Sequence, residues 1–337
     1  MDKKINVSVI GCGHLGRIHI KNLKEIEIES GSIKLSGVYD IDLEKCNSAA
    51  DQFDVTVFNS FDDLLKNSNS IIVVTPTSTH FQIAYKAIEQ NKNIFIEKPV
   101  TDDVNDARKL LAIAKGKEIN IQVGHIERFN PALLSLEKYN LAPLFIETHR
   151  LAQFNPRGTD VSVVQDLMIH DIDVILNIVK SEVQSIHANG VAIITDKIDI
   201  ANVRIKFDNG CVANITSSRI SQNKMRKMRI FQRNAYISID FLKNSSEVFR
   251  LVDSKSSESI SPMFSLGTIK REDKDFNIVY EQPSIEEINP MKYELNKFFD
   301  CIRSGTEPVV QLKDGIQALE VATRINEEIE LSSKDFK

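Results

Sequence analysis

Ile5-Asn6-Val7-Ser8-Val9-Ile10-Gly11-Cys12-Gly13-His14-Leu15-Gly16 is the stretch that decides the fold. A run rich in β-branched residues predicts a strand, glycines follow at G-x-G-x-x-G spacing, and helical periodicity begins behind them. Each glycine answers a physical need if a dinucleotide binds there. The first makes a tight turn, the second admits the backbone to a pyrophosphate, and the third lets the helix pack close to the strand. The helix N-terminus adds oriented N–H donors and the positive end of its dipole. The spacing alone is a weak signal. It gains weight from the strand before it, the helix after it and Asp40 at the end of the second strand candidate.

Asp40 is placed to accept hydrogen bonds from the adenosine ribose, and its carboxylate would repel a 2′-phosphate. Tyr39-Asp40-Ile41-Asp42-Leu43 contains no arginine to receive such a phosphate, so NAD is expected over NADP. Asp42, rather than Asp40, reads as the N-cap of the next helix. Gly11, Cys12, Gly13, His14, Leu15, Gly16 and Asp40 are the expected cofactor-binding residues of this segment.

Working outward, strand candidates at 5–10, 34–39, 70–75, 93–96 and 119–123 alternate with helical segments. Such alternation predicts an α/β fold whose N-terminal part is a doubly wound Rossmann domain, placed at residues 1–125. Beyond Arg128 the pattern changes. A helix is predicted over 166–180, then strands at 183–192, 200–207, 211–217, 227–232 and 235–240 without helices between them. Residues 126–337 are therefore expected to form an α+β substrate-binding and oligomerisation domain with a large, mostly antiparallel open sheet. The segment 254–275 reads as loops, and helices are predicted at 290–303 and 313–332, with room to pack back on the first domain.

Composition narrows the function. With 337 residues, 42% of them hydrophobic and 26% charged, the chain can bury cores for two domains. The net charge of −5 arises from interspersed acids and bases, which excludes a general nucleic-acid-binding surface. No segment approaches the roughly 20 apolar residues of a membrane span. Cys12, Cys46, Cys211 and Cys301 form no C-x-x-C pair, so neither a zinc site nor a disulfide scaffold is expected, and a reducing cytoplasm is the simplest setting. No bound metal is expected.

Two segments end later strands of the first domain, Thr75-Pro76-Thr77-Ser78-Thr79-His80 and Glu97-Lys98-Pro99. Ligands of open α/β sheets bind beyond the carboxyl ends of the strands, so both segments are expected to face the cofactor, with Thr75, Pro76, Thr77, His80, Glu97 and Lys98 binding it. In the second domain, Asp166, His170, Asp173 and Asn177 fall on one stripe of the predicted helix, and apolar residues cover the rest of its circumference. The stripe either meets solvent or lines a polar site. Asp166 and His170, at i and i+4, are neighbours on the helix surface. A carboxylate there can fix the imidazole, which suits a base that removes a hydroxyl proton as hydride leaves carbon. Lys98 would stabilise the developing oxygen charge, or act as the base itself if desolvated.

These residues, together with Gly124 and Arg128-Phe129-Asn130-Pro131, resemble the Gfo/Idh/MocA family of oxidoreductases over nearly the whole chain, with Glu97-Lys98-Pro99 the most specific match. The resemblance implies that Lys98 contacts the reacting hydroxyl and the nicotinamide end of the cofactor. It places Asp166 and His170 across the substrate, with Arg128 also a substrate ligand. It further implies a homodimer or homotetramer paired through the open sheet. The chain departs from the family pattern at Met168, where glycine is common, and at Asp171, an added acid; His125 and Glu127 fill variable positions.

Segments from Asp199 to Arg229 are similar to a branch that oxidises the 3-hydroxyl of UDP-N-acetylglucosamine, the ketone then passing to a partner aminotransferase. Arg219, Lys224, Arg226, Lys227 and Arg229 offer charge for a diphosphate, or else protect a strand edge. An inositol or free-sugar dehydrogenase, an NAD-dependent glycosidase and a non-catalytic NAD sensor are the competing functions.

Overall fold

Ile71, Ile72 and Val73 are fully buried, as are Val7, Val9, Ile94, Phe95 and Ile96, because each of these short strands lies under helices on both faces. The computed structural model describes residues 4–156, 161–255, 264–271 and 273–333. The chain divides into two compact units, Met1–Ile126 with Ile288–Glu320, and Glu127–Glu287 with Val321–Lys337.

The first unit runs β1 (Ile5–Ile10), α1 (His14–Ser30), β2 (Ile33–Tyr39), α2 (Leu43–Phe53), α3 (Phe61–Asn67), β3 (Ser70–Val73), α4 (His80–Glu89), β4 (Asn93–Glu97), α5 (Val104–Ala114) and β5 (Ile121–Gly124). Its strands are ordered β2-β1-β3-β4-β5 and all pair in parallel. A parallel bridge from Val38 to Val57 adds one more short segment outside β2. The order reverses between β1 and β3, so a crevice is expected beyond their carboxyl ends. Helix α8 (Pro290–Ser304) packs on this unit: Phe298 lies edge-on to Phe95, with ring centroids 5.9 Å apart, and Lys292 meets Glu29 at 2.6 Å.

The second unit holds α6 (Pro131–Leu134), β6 (Pro143–Leu151), a π turn (Val164–Met168), α7 (Ile169–Val179), and β7 (Val183–Val191), β8 (Ile200–Phe207), β9 (Val212–Ser218), β10 (Met225–Gln232) and β11 (Ala235–Asp240). It continues through β12 (Ser245–Asp253), β13 (Phe264–Arg271) and β14 (Lys274–Glu281); α9 (Leu312–Ser333) belongs to the first unit as far as Glu320 and to the second from Val321. The sheet order is β13-β14-β12-β11-β10-β6-β9-β8-β7, antiparallel except for the β6–β9 pair. In β8, Ala201, Val203, Ile205 and Phe207 point into the core while Asn202, Arg204 and Lys206 are exposed, the alternation of a sheet with one open face.

Three expectations are corrected. The strands β6 and β12, both interior to the sheet, were not foreseen. Part of 254–275, read as loops, forms β13 and β14, whereas 256–263 and 272 lie outside the described residues. The helix expected over 166–180 begins as the π turn, which inserts a residue and breaks the regular stripe. Among the described residues, no helix is long and apolar enough to cross a membrane.

Candidate active site

The turn after β1 requires glycine on steric grounds. Gly11 has φ +101, and a Cβ there would lie 2.3 Å from the Val74 carbonyl oxygen; a Cβ at Gly16 would lie 1.9 Å from that of Gly11. Helix α1 starts at Gly13 with no side-chain cap, whereas Asp42 caps α2 through the Glu44 and Lys45 amides. The first N–H groups of α1 thus remain for a ligand. Asp40 holds its carboxylate beside them: Oδ2 accepts from the Cys12 amide at 2.8 Å and Oδ1 from the Asp42 amide at 3.0 Å.

A cleft of about 820 Å³ brings together Gly11, Gly13, His14, Leu15, Asp40, Thr75, Pro76, Glu97 and Lys98. Its size, uncapped helix end and ribose-facing acid fit a dinucleotide. Four expected cofactor residues fall outside this lining. Cys12 is buried with its thiol 3.8 Å from that of Cys46, and Gly16 serves the packing of α1. Thr77 begins a short 3-10 turn. The buried His80 ring lies between the carbonyls of Pro99, at 2.9 Å, and Thr75, at 3.0 Å, so it ties two loops together from beneath. Burial pushes its imidazole below the ordinary range despite both carbonyls. Ser78 and Thr79 of the expected segment also line the cleft; sequence reading missed Tyr39, Phe61, Gln82 and Ile83, because only the chain path brings them there. It also missed Lys45, a cation on the cleft wall, here paired with Asp42 at 2.9 Å.

In the second unit, Asp166 sits in the π turn and lines a pocket of about 350 Å³ with Arg219, Lys224 and Arg226. His170 follows in the first turn of α7 and is half-buried. Of the remainder of the expected stripe, Asp173 is buried and Asn177 is exposed. Arg128 grips Asp173 with both arms, at 2.8 and 2.6 Å, and reaches Asn177 at 3.2 Å. Three of its donors are therefore engaged within the second unit.

The two unexpected acids are likewise paired. Arg150 from β6 donates to Asp171 at 2.8 and 3.0 Å and to Glu127 at 2.9 Å, and Arg226 approaches Glu127 at 3.5 Å. The basic run of β10 is divided by the strand's period of two. Arg226 turns to the Asp166 side, whereas Lys227 pairs with Asp240 and Arg229 with Glu147 on the opposite face. Arg219 is buried, donating to the Val161 carbonyl at 2.7 Å.

Residues 5–125 match the oxidoreductase family with an NAD-binding Rossmann fold, and residues 145–238 match the GFO/IDH/MocA C-terminal domain. The chain is 38% identical over 246 residues to UDP-N-acetylglucosamine 3-dehydrogenase of Acidithiobacillus ferrooxidans, which covers 73% of this chain and 77% of that protein. The chain belongs to the Gfo/Idh/MocA family of oxidoreductases. A solved structure of that Acidithiobacillus enzyme superposes with a TM-score of 0.85 at 31% identity, covering 98% of this chain and 99% of the other. The scyllo-inositol 2-dehydrogenase (NAD(+)) of Bacillus subtilis is 26% identical, covering 95% of this chain and 93% of that one.

As a family member the chain is an NAD-binding oxidoreductase of alcohol groups, and the cleft supplies the physical basis for cofactor choice. Replacing Asp40 by alanine removes the charge that opposes a 2′-phosphate and leaves Lys45 nearby. The NAD-to-NADP ratio of kcat/KM should fall by about tenfold or more, a change on the order of 1.4 kcal/mol. An unchanged ratio would show that Asp40 does not read the ribose.

Proposed function

We propose that this oxidoreductase acts on a nucleotide-linked sugar and oxidises the 3-hydroxyl of UDP-N-acetylglucosamine. The observation that carries this reading is the pocket at Asp166, where Lys224 and Arg226 supply exposed positive charge suited to a diphosphate. The Acidithiobacillus relative supports the same substrate. Held at the start of α1 and by Asp40, NAD would supply the hydride acceptor. His170 takes the hydroxyl proton, Asp166 orients the imidazole or the sugar, and Lys98 neutralises the negative charge developing on oxygen. The product ketone is then a substrate for an aminotransferase. A reducing, cytoplasmic setting suits this chemistry and the free thiols of Cys12, Cys46, Cys211 and Cys301.

The test is formation of NADH from NAD with a panel of UDP-sugars, free N-acetylglucosamine and polyols. UDP-N-acetylglucosamine should give the highest kcat/KM, and Lys224→Ala and Arg226→Ala should each raise its KM by about tenfold. Equal turnover of free sugar or inositol would favour a polyol dehydrogenase, and release of sugar without net NADH would favour a glycosidase.

We also propose a homo-oligomer paired through the open face of the sheet. Phe145, Phe231, Tyr236, Phe249 and Tyr280 form a ladder across five neighbouring strands, with successive ring centroids 5.8, 5.0, 5.7 and 4.9 Å apart. Such a ladder is a large apolar surface for a second copy to cover. Light scattering at micromolar protein should read a dimer or tetramer; a monomer mass would overturn the proposal.

A further inference from the structure

Glu97 lies next to Lys98 at the end of β4 and lines the cleft, its side chain 12% exposed. Its carboxylate has two partners of different kinds. Oε1 is 2.8 Å from Nε2 of His19, a fully buried residue of α1, and Oε2 accepts the Lys98 backbone N–H at 3.3 Å. Room for the carboxylate comes from the neighbouring strand. Glu97 pairs with Gly124 of β5, and a Cβ at Gly124 would stand 2.9 Å from Oε2. The His19 ring meets Phe95 edge-on at 5.5 Å, and its Nδ1 has no hydrogen-bond partner among the described residues. Its one polar tie is therefore to Glu97.

Resting on the assignment of Lys98 to the reacting hydroxyl, we propose that His19 is a positioning residue that acts through Glu97 to fix the place and charge of Lys98. A buried ionised carboxylate is costly unless something holds it. Burial raises the Glu97 pKa, but the hydrogen bond from His19 and the charge of Lys98 outweigh it and keep the group below the ordinary carboxylate range. The surrounding titratable groups come from three directions: His19 from α1, Lys98 from the loop after β4, and His80 from the start of α4, itself influenced by Asp102. A fixed negative charge there favours the ammonium form of Lys98, and its bond to the Lys98 amide holds the backbone that carries the side chain.

The test compares Glu97→Gln, His19→Leu and His19→Gln in the full chain. Glutamine at 19 keeps an N–H donor for Glu97. One readout is independent of turnover: acetylation of Lys98 by acetic anhydride against pH, followed by mass spectrometry. Glu97→Gln should move its midpoint to lower pH by about one unit. The second readout is NADH formation from UDP-N-acetylglucosamine. His19→Leu should lower kcat by about 10²-fold, with NAD affinity held within about threefold, and His19→Gln should recover at least about tenfold.

An unmoved acetylation midpoint in Glu97→Gln overturns the proposal. So does a parallel loss of NAD affinity and kcat, which marks a purely structural role, or a glutamine variant no better than the leucine. If His19→Leu does not fold, Glu97→Gln still decides. Unchanged turnover in Lys98→Ala would instead sink the assignment of Lys98, whatever these variants do.

Discussion

Lys98→Ala should lower kcat for alcohol oxidation by about 10³-fold or more while changing the Kd for NAD by less than about threefold. The split follows from where the residue stands. Lys98 lines the cleft that also holds the G-x-G-x-x-G turn and Asp40, yet the groups suited to pyrophosphate and ribose are the N–H donors of α1 and the Asp40 carboxylate. An ammonium beside the reacting oxygen acts most strongly when that oxygen gains negative charge, so its loss falls on the transition state rather than on cofactor binding. Kinetics with NAD and UDP-N-acetylglucosamine, paired with an NAD titration, separate the two. Retained turnover would remove Lys98 from the chemistry. Collapse of NAD affinity along with kcat would make it a cofactor ligand instead.

The cofactor half of the molecule was legible because its signals are local. A strand, a glycine turn, a helix start and a terminal acid occupy one continuous stretch, and the backbone must pass that way whatever surrounds it. His80 misled for a related reason: nearness in sequence to Thr75-Pro76 suggested the cofactor, but its ring lies beneath the loops and bridges two carbonyls. Distant partners were invisible. Asp173 looked available because nothing in the helix reveals that Arg128, forty-five positions earlier, pairs with it. The division of Arg226 from Lys227 and Arg229 needed only the strand's alternation, so that part was within reach of the sequence.

Strand β6 escaped notice for a more instructive reason. Its inward positions include Ile146, Thr148 and Arg150, so the buried face carries a hydroxyl and a guanidinium where an alternating apolar pattern would have betrayed a strand. Arg150 faces inward because Asp171 and Glu127 are waiting there. The acid that departs from the family pattern and the strand that could not be read are thus two sides of one ion-pair network.

Arg150→Met should test that network severely. Arg150, Asp171 and Glu127 are each 5% exposed or less, and the substitution leaves two carboxylates facing an apolar side chain, with the half-exposed Arg226 3.5 Å and the Asn130 amide 3.2 Å from Glu127. Breaking a buried pair in this way costs about 3–5 kcal/mol, which corresponds to a fall in Tm of roughly 10 °C for a unit of this size. Burial already holds Asp171 above the ordinary carboxylate range with Arg150 present, so removing the cation should raise it further. An acid whose folded pKa exceeds its unfolded value penalises the native state at high pH and is relieved as pH falls toward the unfolded value. The Tm gap between variant and parent should therefore be wide at pH 8 and narrow toward pH 5. Adding Asp171→Asn and Glu127→Gln should recover much of the loss at pH 8, since neutral amides no longer need the guanidinium. A variant melting within about 2 °C of the parent at pH 8 would mean that water or neighbouring groups reach these carboxylates, contrary to the burial on which the expected cost depends.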